Sequence, residues 1–281
     1  RGNRTPTLAC LRHARYERAM PFLSHDGVSL RYDRTGSGPA VLLLHGWTCN
    51  RTFWDRQVQA LRERHTVLTV DLRGHGESSP PRAGYGIGTL AGDVEHLIRA
   101  LGVQRLALVG WSMGGMVALE VARRLGDRVT ALGLVCSTAG GLADAKNPLA
   151  LPTERREAIQ VAVRADARAY VRELATAHFK DGAEAPLFSW AVGQMQKTTT
   201  HVVGACSDAI LAFDARKHLP ALAVPTTVLH GRHDTLLPHP HGEALANTIP
   251  GAKLVTFEQS AHAPHLEEPD AFNAALTTLV G

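Results

Sequence analysis

Unbroken apolar runs that alternate with amphipathic stretches constrain the fold of this chain more than any other feature. Six such runs, each five to eight residues long, occupy 41–45, 66–71, 105–111, 129–136, 225–231 and 253–257. Strands that are covered on both faces have this character. Apolar residues at helical spacing fill most of the intervals, at 53–64, 89–102, 113–126, 242–249 and 270–280. The alternation predicts an α/β fold with a doubly wound, mostly parallel sheet and helices on both faces.

An N-terminal segment departs from this alternation. Residues 22–36 alternate apolar and polar side chains around Asp26 and Gly27. This pattern predicts an antiparallel hairpin at the edge of the sheet.

A second departure separates two of the apolar runs. We find no convincing strand between 137 and 219, and residues 153–179 carry apolar side chains on one helical face. We therefore expect a helical cap at 137–219, inserted between two strands of a core that is formed by 20–136 and 220–281.

Charge is concentrated at the N-terminus. Residues 1–19 hold five arginines and one acid, which accounts for the whole formal net charge of +4. The rest of the chain is balanced, which argues against nucleic acid or an anionic membrane as a partner, and no apolar run approaches the ~18 residues of a membrane helix. We interpret 1–19 as a disordered leader or tag-like tail, with a natural start at Met20.

The cysteines are too far apart to indicate a disulfide framework. Cys10, Cys49, Cys136 and Cys206 form no CxxC motif. Reduced thiols and a cytoplasmic location are therefore expected.

One serine lies among glycines in GWSMGG, residues 110–115, directly after an apolar run and directly before a helical stretch. Ser112 could belong to a flexible glycine-rich loop. Alternatively, it is a nucleophile on a strand-turn-helix elbow, where Gly110 and Gly114 leave the space that so tight a turn needs. The context favours the elbow.

A serine hydroxyl needs a base to remove its proton and an acid to orient that base. Asp234 follows the run at 225–231, and His262 follows the run at 253–257. The carboxyl ends of parallel strands lie at one edge of a sheet, so these side chains and Ser112 are expected together. Their order along the chain is the order that this architecture requires.

Three neighbours compete for the same roles. His265 lies three residues after His262, His233 adjoins Asp234, and Asp144 follows the preceding apolar run. Motif position favours His262 as the base and Asp234 as the acid, but proximity in sequence leaves the alternatives open.

Five segments together resemble the α/β-hydrolases over residues 22–280. They are HGWTCN (45–50), DLRGHGESS (71–79), GWSMGG (110–115), HGRHDTLLP (230–238) and AHAPHLEEPDAFN (261–273). Within that superfamily, the HGW and GWS motifs and the alanine before His262 are similar to carboxylesterases of the pimeloyl-ACP methyl ester esterase type. The resemblance implies the α/β-hydrolase fold and a serine esterase without a cofactor.

The same arrangement of segments predicts an oxyanion hole, in which two backbone N–H groups stabilise the negative charge that develops on the substrate's carbonyl oxygen. Met113, the residue after the nucleophile, is the first expected donor. The resemblance implies Trp47, in the HGW turn, as the second.

Several further residues are candidates for binding roles. The candidates for the lining of the acyl pocket, with core packing as the alternative, are Trp111, Phe179, Phe188, Trp190 and Met195. Arg156, Arg164, Arg168 and Arg172 share one helical face, either a solvated surface or a docking strip for an anionic carrier protein.

Three pairs of histidines lie close together in the sequence, and clustered imidazoles are common metal ligands. The pairs are His230/His233, His239/His241 and His262/His265, and none has the helical HExxH spacing. We expect no metal.

The sequence therefore predicts a serine carboxylesterase that acts on short- to medium-chain esters. The substrate is a small-molecule ester or, as a second form, a carrier-protein-linked ester. An enol-lactonase, a C–C bond hydrolase or a cofactor-free perhydrolase would use the same three side chains, and a small-ligand receptor on the same fold is the further alternative.

Overall fold

The computed structural model describes residues 21–141 and 152–281, so the leader at 1–19 and Asp144 lie outside the described residues. The strands of the described chain are β1 (Phe22–His25), β2 (Val28–Thr35), β3 (Ala40–Leu44), β4 (Thr66–Val70), β5 (Leu106–Trp111), β6 (Val129–Val135), β7 (Thr226–Gly231) and β8 (Lys253–Phe257). They form one eight-stranded sheet in the order β1-β2-β4-β3-β5-β6-β7-β8.

Most of this sheet is parallel. β1 and β2 form the predicted antiparallel hairpin, with Asp26 (φ 47°) and Gly27 (φ 75°) at its turn. β2 pairs antiparallel with β4, and every later pair is parallel. Both the edge hairpin and the mostly parallel sheet are confirmed, because unbroken apolar runs and strict alternation distinguish buried strands from edge strands.

Helices connect the strands at the predicted intervals. They are α1 (Asp55–Leu61), α2 (Ile87–Ala100), α3 (Met113–Leu125), α4 (Thr153–Thr176), α5 (Phe188–Met195), α6 (Thr200–Ala212), α7 (Pro240–Thr248), α8 (Pro264–Glu267) and α9 (Pro269–Val280). A 3-10 turn at Arg51–Trp54 precedes α1, so that helix is shorter than its apolar pattern predicts.

Two hydrophobic layers enclose the sheet because successive side chains of a strand point to opposite faces. In β3, Leu42 and Leu44 belong to the same cluster as the buried residues of α2 and α3. Val41 and Leu43 belong to the cluster that contains the buried residues of α1 and α9. The sheet is therefore covered on both sides, and its carboxyl edge is where side chains can reach a ligand.

The described residues between β6 and β7, here named the helical insertion, contain α4, α5 and α6 and no strand. Its base is closed by an isolated bridge between Gly140 and Asp214 and by a hydrogen bond of 2.7 Å from Ala215 N to Ala139 O. The position agrees with the expected helical insertion. That residues 137–219 act as a separate cap domain stays a prediction.

The helix α4 is broken at Asp166, whose φ of −155° and ψ of 93° are not helical. The Asp166 carboxylate accepts hydrogen bonds of 3.0 Å from the N–H groups of Arg168 and Ala169 and so caps the second half of the helix. The segment that carries the predicted arginine face is therefore not one unbroken helix, and a docking role for these arginines stays a prediction.

None of the helices in residues 21–141 and 152–281 is both long and apolar enough to cross a lipid bilayer. Cys49, Cys136 and Cys206 are free and buried. Burial raises the pKa of each of these thiols, that of Cys206 to about 12, so they are protonated and poor nucleophiles at neutral pH.

Candidate active site

Ser112 occupies a sharp turn between β5 and α3. Its φ of 55° and ψ of −118° lie in a region that residues with a side chain rarely adopt. Two hydrogen bonds hold it there, from Ser112 N to Val135 O at 2.8 Å and from Ser137 Oγ to Ser112 O at 2.9 Å. A strained backbone fixed by its surroundings is typical of functional sites.

The glycines of this turn are required by close backbone contacts. A Cβ atom at Gly110 would lie 2.1 Å from the carbonyl oxygen of Gly114. A Cβ atom at Gly114 would lie 2.5 Å from the carbonyl oxygen of His45, in the turn after β3. Both positions therefore need glycine so that β5, α3 and that turn can meet at Ser112.

Asp234, in the loop after β7, is buried and fully engaged. Its Oδ1 accepts hydrogen bonds of 2.9 Å from Leu236 N and Leu237 N. Its Oδ2 lies 2.8 Å from His262 Nδ1 and 3.4 Å from His230 Nε2. Burial alone would raise the pKa of Asp234, but the charges and hydrogen bonds of the two histidines hold it well below its usual value. The carboxylate is therefore ionised.

His262 is 2% exposed, and its hydrogen bond to Asp234 determines the tautomer of the ring. Because an ionised carboxylate can only accept, Nδ1 of His262 carries the proton and Nε2 carries a lone pair. This is the tautomer that a general base requires.

The strand that leads to Ser112 also holds His262. The indole N–H of Trp111 donates a hydrogen bond of 2.7 Å to the carbonyl oxygen of His262, and their ring centroids are 5.8 Å apart. Within the described chain, no hydrogen bond joins the Ser112 hydroxyl to the His262 ring. The structure thus pairs His262 directly with Asp234, and links it to Ser112 through the neighbouring tryptophan.

The turn after β3, which carries Trp47, is fixed by His45. Nδ1 of His45 donates to Gly46 O at 2.8 Å, and Nε2 accepts from Leu72 N at 2.9 Å. Burial lowers the pKa of His45 to about 4, so the ring is neutral and can make both bonds at neutral pH. The backbone around Trp47 is therefore held rigidly against the loop after β4.

Two backbone N–H groups near this turn are available to a ligand. Met113 is the first residue of α3, so its N–H has no acceptor within the helix. The N–H of Trp47 has no hydrogen-bond partner among the residues that the structure describes. These are the two groups that the sequence predicts as the oxyanion hole, and that role stays a prediction.

The competing residues are engaged differently. His265 is completely buried, and neither of its ring nitrogens has a partner in the described chain; burial holds its pKa well below the usual value. His233 is exposed and its Nε2 lies 3.1 Å from Glu258 O. Neither histidine hydrogen-bonds to Asp234, which supports His262 as the partner of the acid.

The residues predicted to line an acyl pocket lie in or against one hydrophobic cluster, and they are Trp111, Phe179, Phe188, Trp190 and Met195. All except Trp190 are buried. Trp190 is half-buried and packs on Phe53, with ring centroids 4.7 Å apart. These contacts fit the packing alternative, and a lining role stays a prediction.

A cavity of about 300 Å³ lies within the helical insertion. Its lining consists of Ala167, Arg168, Val171 and residues 196–200, and it includes none of the predicted pocket residues. Thr198 donates a hydrogen bond of 3.0 Å to Thr48 O, so the cavity adjoins the turn that carries Trp47.

Two histidines that the sequence pattern did not assign to the site contact the candidate triad. The ring of His178 lies edge-to-face on both Trp111 and His262, with centroid distances of 5.3 Å. His230, at the end of β7, is the second histidine against Asp234. Imidazoles at the end of an apolar strand or apolar helical stripe are the sequence signal that could have found both.

The described residues bring together one set of three potential metal ligands, Cys136, His230 and Asp234. All three are buried, with ligand atoms within 4.8 Å of one another. The set differs from the three histidine pairs in the sequence. Its carboxylate is already shared with His262.

Comparison with known proteins shows the family to which the chain belongs. Residues 39–269 match the family described as the alpha/beta hydrolase fold. The chain therefore belongs to this family and is a hydrolase, and the resemblance noted in the sequence is confirmed. It is 30% identical over 269 residues to a pimeloyl-[acyl-carrier protein] methyl ester esterase of Vibrio vulnificus, which covers 90% of this chain and 98% of that protein.

Solved structures give the same result. An esterase from Exiguobacterium antarcticum superposes with a TM-score of 0.88 at 28% identity, covering 92% of this chain and 97% of that one. An enol-lactonase from Burkholderia xenovorans superposes with a TM-score of 0.83 at 28% identity, covering 92% of this chain and 100% of that one.

Proposed function

We propose that the protein is a serine carboxylesterase that hydrolyses short- to medium-chain carboxylic esters through Ser112, His262 and Asp234. The observation that carries the proposal is the buried hydrogen bond of 2.8 Å between His262 Nδ1 and Asp234 Oδ2. It orients a base in the same fold that holds a serine at positive φ on a strand-to-helix turn. The similarity to two esterases supports the same chemistry.

In the first half-reaction, Nε2 of His262 removes the proton from the Ser112 hydroxyl while Oγ attacks the ester carbonyl. The resulting imidazolium is stabilised by the ionised carboxylate of Asp234. The N–H groups of Trp47 and Met113 donate to the developing oxyanion, a contribution on the order of 3 kcal/mol each. His262 then returns the proton to the departing alcohol, which leaves an acyl group on Ser112.

In the second half-reaction, a water molecule loses its proton to His262 Nε2 and attacks the acyl carbonyl. The tetrahedral intermediate collapses, Ser112 regains its proton, and the carboxylic acid is released. Every proton in this cycle is handled by side chains of this chain.

The preference for shorter acyl chains rests on how the helical insertion is packed. Phe179, Phe188 and Met195 are buried in one cluster with Trp111, the residue before the nucleophile. Large buried side chains leave little space for a long acyl group. A carrier-linked ester is the second substrate form; of the arginines expected to dock it, Arg172 lies over the Phe188 ring at 5.2 Å.

A lactonase is the second candidate function. The similarity to an enol-lactonase over nearly the whole of both chains favours it. Ring opening of a lactone uses the same attack on a carbonyl. The one difference from ester hydrolysis is that the leaving alcohol stays attached to the acyl group.

The test is a hydrolysis panel of p-nitrophenyl esters from acetate to palmitate, with an enol-lactone beside it. We expect the highest kcat/KM on acetate to octanoate. Ser112→Ala should lose activity by at least about a thousandfold, while Ser207→Ala, at a buried serine in α6, should retain it.

Three outcomes would overturn the proposal. A maximum at palmitate would contradict the chain-length preference. A kcat/KM on the lactone far above every ester would favour the second candidate. A stoichiometric burst without steady turnover would favour a receptor on this fold.

A further inference from the structure

His178 lies just after α4, where the helical insertion meets the loop that carries His262. It is 3% exposed. Its ring is nearly perpendicular to that of His262, at 87° with a centroid distance of 5.3 Å. It meets the Trp111 ring in the same way, at 83° and 5.3 Å. Three rings from three separate segments thus form one contact group, and His262 is flanked in it by Trp111 and His178.

The His178 ring is itself held in place. Its Nδ1 lies 2.8 Å from the carbonyl oxygen of Leu174, one turn earlier, so Nδ1 carries the proton and donates. Burial, and next the charge of His262, lowers the pKa of His178 to about 3. The ring is therefore neutral at neutral pH, and it adds no positive charge beside a base that must itself become protonated.

The backbone around His178 is tied to both sides of His262. Ala263 N donates a hydrogen bond of 3.0 Å to the carbonyl oxygen of His178. Lys180 N donates to Glu267 Oε1 at 2.7 Å, and Lys180 Nζ donates to Gln259 Oε1 at 2.6 Å. Residues 178–180 are therefore fastened to the loop that carries His262.

We propose that His178 is a positioning residue, supplied by the helical insertion, which holds the His262 ring in the orientation that proton transfer from Ser112 requires. This inference rests on the proposed esterase function. Rotation of an imidazole about its terminal side-chain bond is weakly restricted by torsion alone, so the neighbouring rings and the bond to Asp234 must restrict it. Perpendicular ring contacts at this distance are favourable and directional.

On this proposal the helical insertion supplies one of the ring contacts that orient His262, and the proton-transfer geometry depends on that contact. Loss of the His178 ring should affect the chemical step more than substrate binding, because His178 acts through His262.

The test uses the full chain and three variants. His178→Ala removes the ring, and His178→Phe keeps an aromatic ring but loses the bond to Leu174. The matched control is His201→Ala. His201 also joins the insertion to the core, through Nε2 at 3.2 Å from Pro81 O and a ring contact with Tyr85, but at a different loop.

We expect kcat for p-nitrophenyl acetate to fall about 10- to 100-fold in His178→Ala with KM within about threefold of wild type. In His178→Phe, kcat should stay within about fivefold because the ring contact survives. His201→Ala should leave kcat unchanged. Equal losses in His178→Ala and His201→Ala, or a change in KM alone, would overturn the inference.

A second measurement does not depend on turnover. The proton NMR signal of the His262 Nδ1–H, identified by its loss in His262→Gln, reports whether the ring is held against Asp234. It should be sharp in the wild type and in His178→Phe, and broadened by solvent exchange in His178→Ala. A sharp signal in His178→Ala would overturn the positioning role. If the wild type shows the sharp signal but has no esterase activity, only the proposed function is overturned.

Discussion

Asp234 Oδ2 lies 2.8 Å from Nδ1 of His262, although the two residues are 28 positions apart in the chain. Both follow strands that lie side by side, β7 and β8, so the carboxyl edge of the sheet brings them together. Two backbone N–H groups hold the other carboxylate oxygen at 2.9 Å. The loop after β7 therefore fixes the Asp234 carboxylate independently of its hydrogen bond to the imidazole.

This pairing predicts the behaviour of Asp234→Asn. The amide nitrogen can donate to Nδ1 of His262, which would stabilise the tautomer that has no lone pair at Nε2. We expect kcat on p-nitrophenyl acetate to fall about 10³- to 10⁴-fold with KM nearly unchanged. Asp144→Asn is the comparison for the rival acid, and a larger loss there than in Asp234→Asn would contradict the assignment.

The two neighbouring histidines should respond in opposite ways. His262→Ala should remove activity. Within the described chain, His262 is the one base that both pairs with Asp234 and accepts a hydrogen bond from Trp111 at its carbonyl oxygen. His265→Leu should keep kcat within about threefold and the free energy of unfolding within about 1 kcal/mol of wild type, because it replaces two unpartnered ring nitrogens with apolar atoms. Kinetics and urea denaturation of both variants check this. Full activity in His262→Ala would require another base.

Glycine positions provide a test of the elbow. Gly114→Ala would place a Cβ atom 2.5 Å from two backbone carbonyl oxygens, so we expect it to lower the free energy of unfolding by at least about 3 kcal/mol. Gly193→Ala, inside α5, is the control, because, apart from its chain neighbours and the backbone of its own helix, no described atom lies within 4 Å of the position that its new methyl group would take. It should stabilise the protein by about 0.5–1 kcal/mol. Urea denaturation measures both values, and equal effects would contradict the packing at the elbow.

Glu267 should make stability depend on pH. Burial raises its pKa to about 7, against an ordinary value of 4.5, partly opposed by hydrogen bonds from Lys180 N and Ala261 N. Between these pH values the folded state binds a proton that the unfolded state does not, so the free energy of unfolding falls as the pH rises from 4.5 to 7.

Glu267→Gln removes this titration. Because part of the carboxyl is exposed, we expect the fall between pH 4.5 and 7 to shrink by only about 1 kcal/mol. Glu258→Gln is the control, since Arg232 holds the pKa of Glu258 below its ordinary value and outside this window. Denaturation at several pH values measures the slopes, and an unchanged slope in Glu267→Gln would contradict the shift.

The sheet was predictable because its strands are unbroken apolar runs, a pattern that burial on both faces imposes directly on sequence. The turn at Ser112 was predictable because the sequence changes there from such a run to a helical pattern. Asp234 and His262 followed from their positions after β7 and β8.

The break in α4 was not predicted because the apolar stripe continues across Asp166, which caps the turn that follows it. Other features depend on contacts between distant segments, which a local pattern does not contain. His178 gains its place only because the helical insertion folds back onto the loop of His262. The raised pKa of Glu267 likewise needs the burial and the acidic neighbours that folding brings to it.

The proposed mechanism depends above all on activation of the Ser112 hydroxyl by His262. Intact-protein mass spectrometry after treatment with a fluorophosphonate, followed by peptide mapping, shows whether Ser112 is activated in this way. We predict one adduct per chain, located on Ser112, formed rapidly in the wild type and almost absent in His262→Ala. An adduct on another side chain, or equal labelling of the His262→Ala variant, would rule out activation of Ser112 by His262.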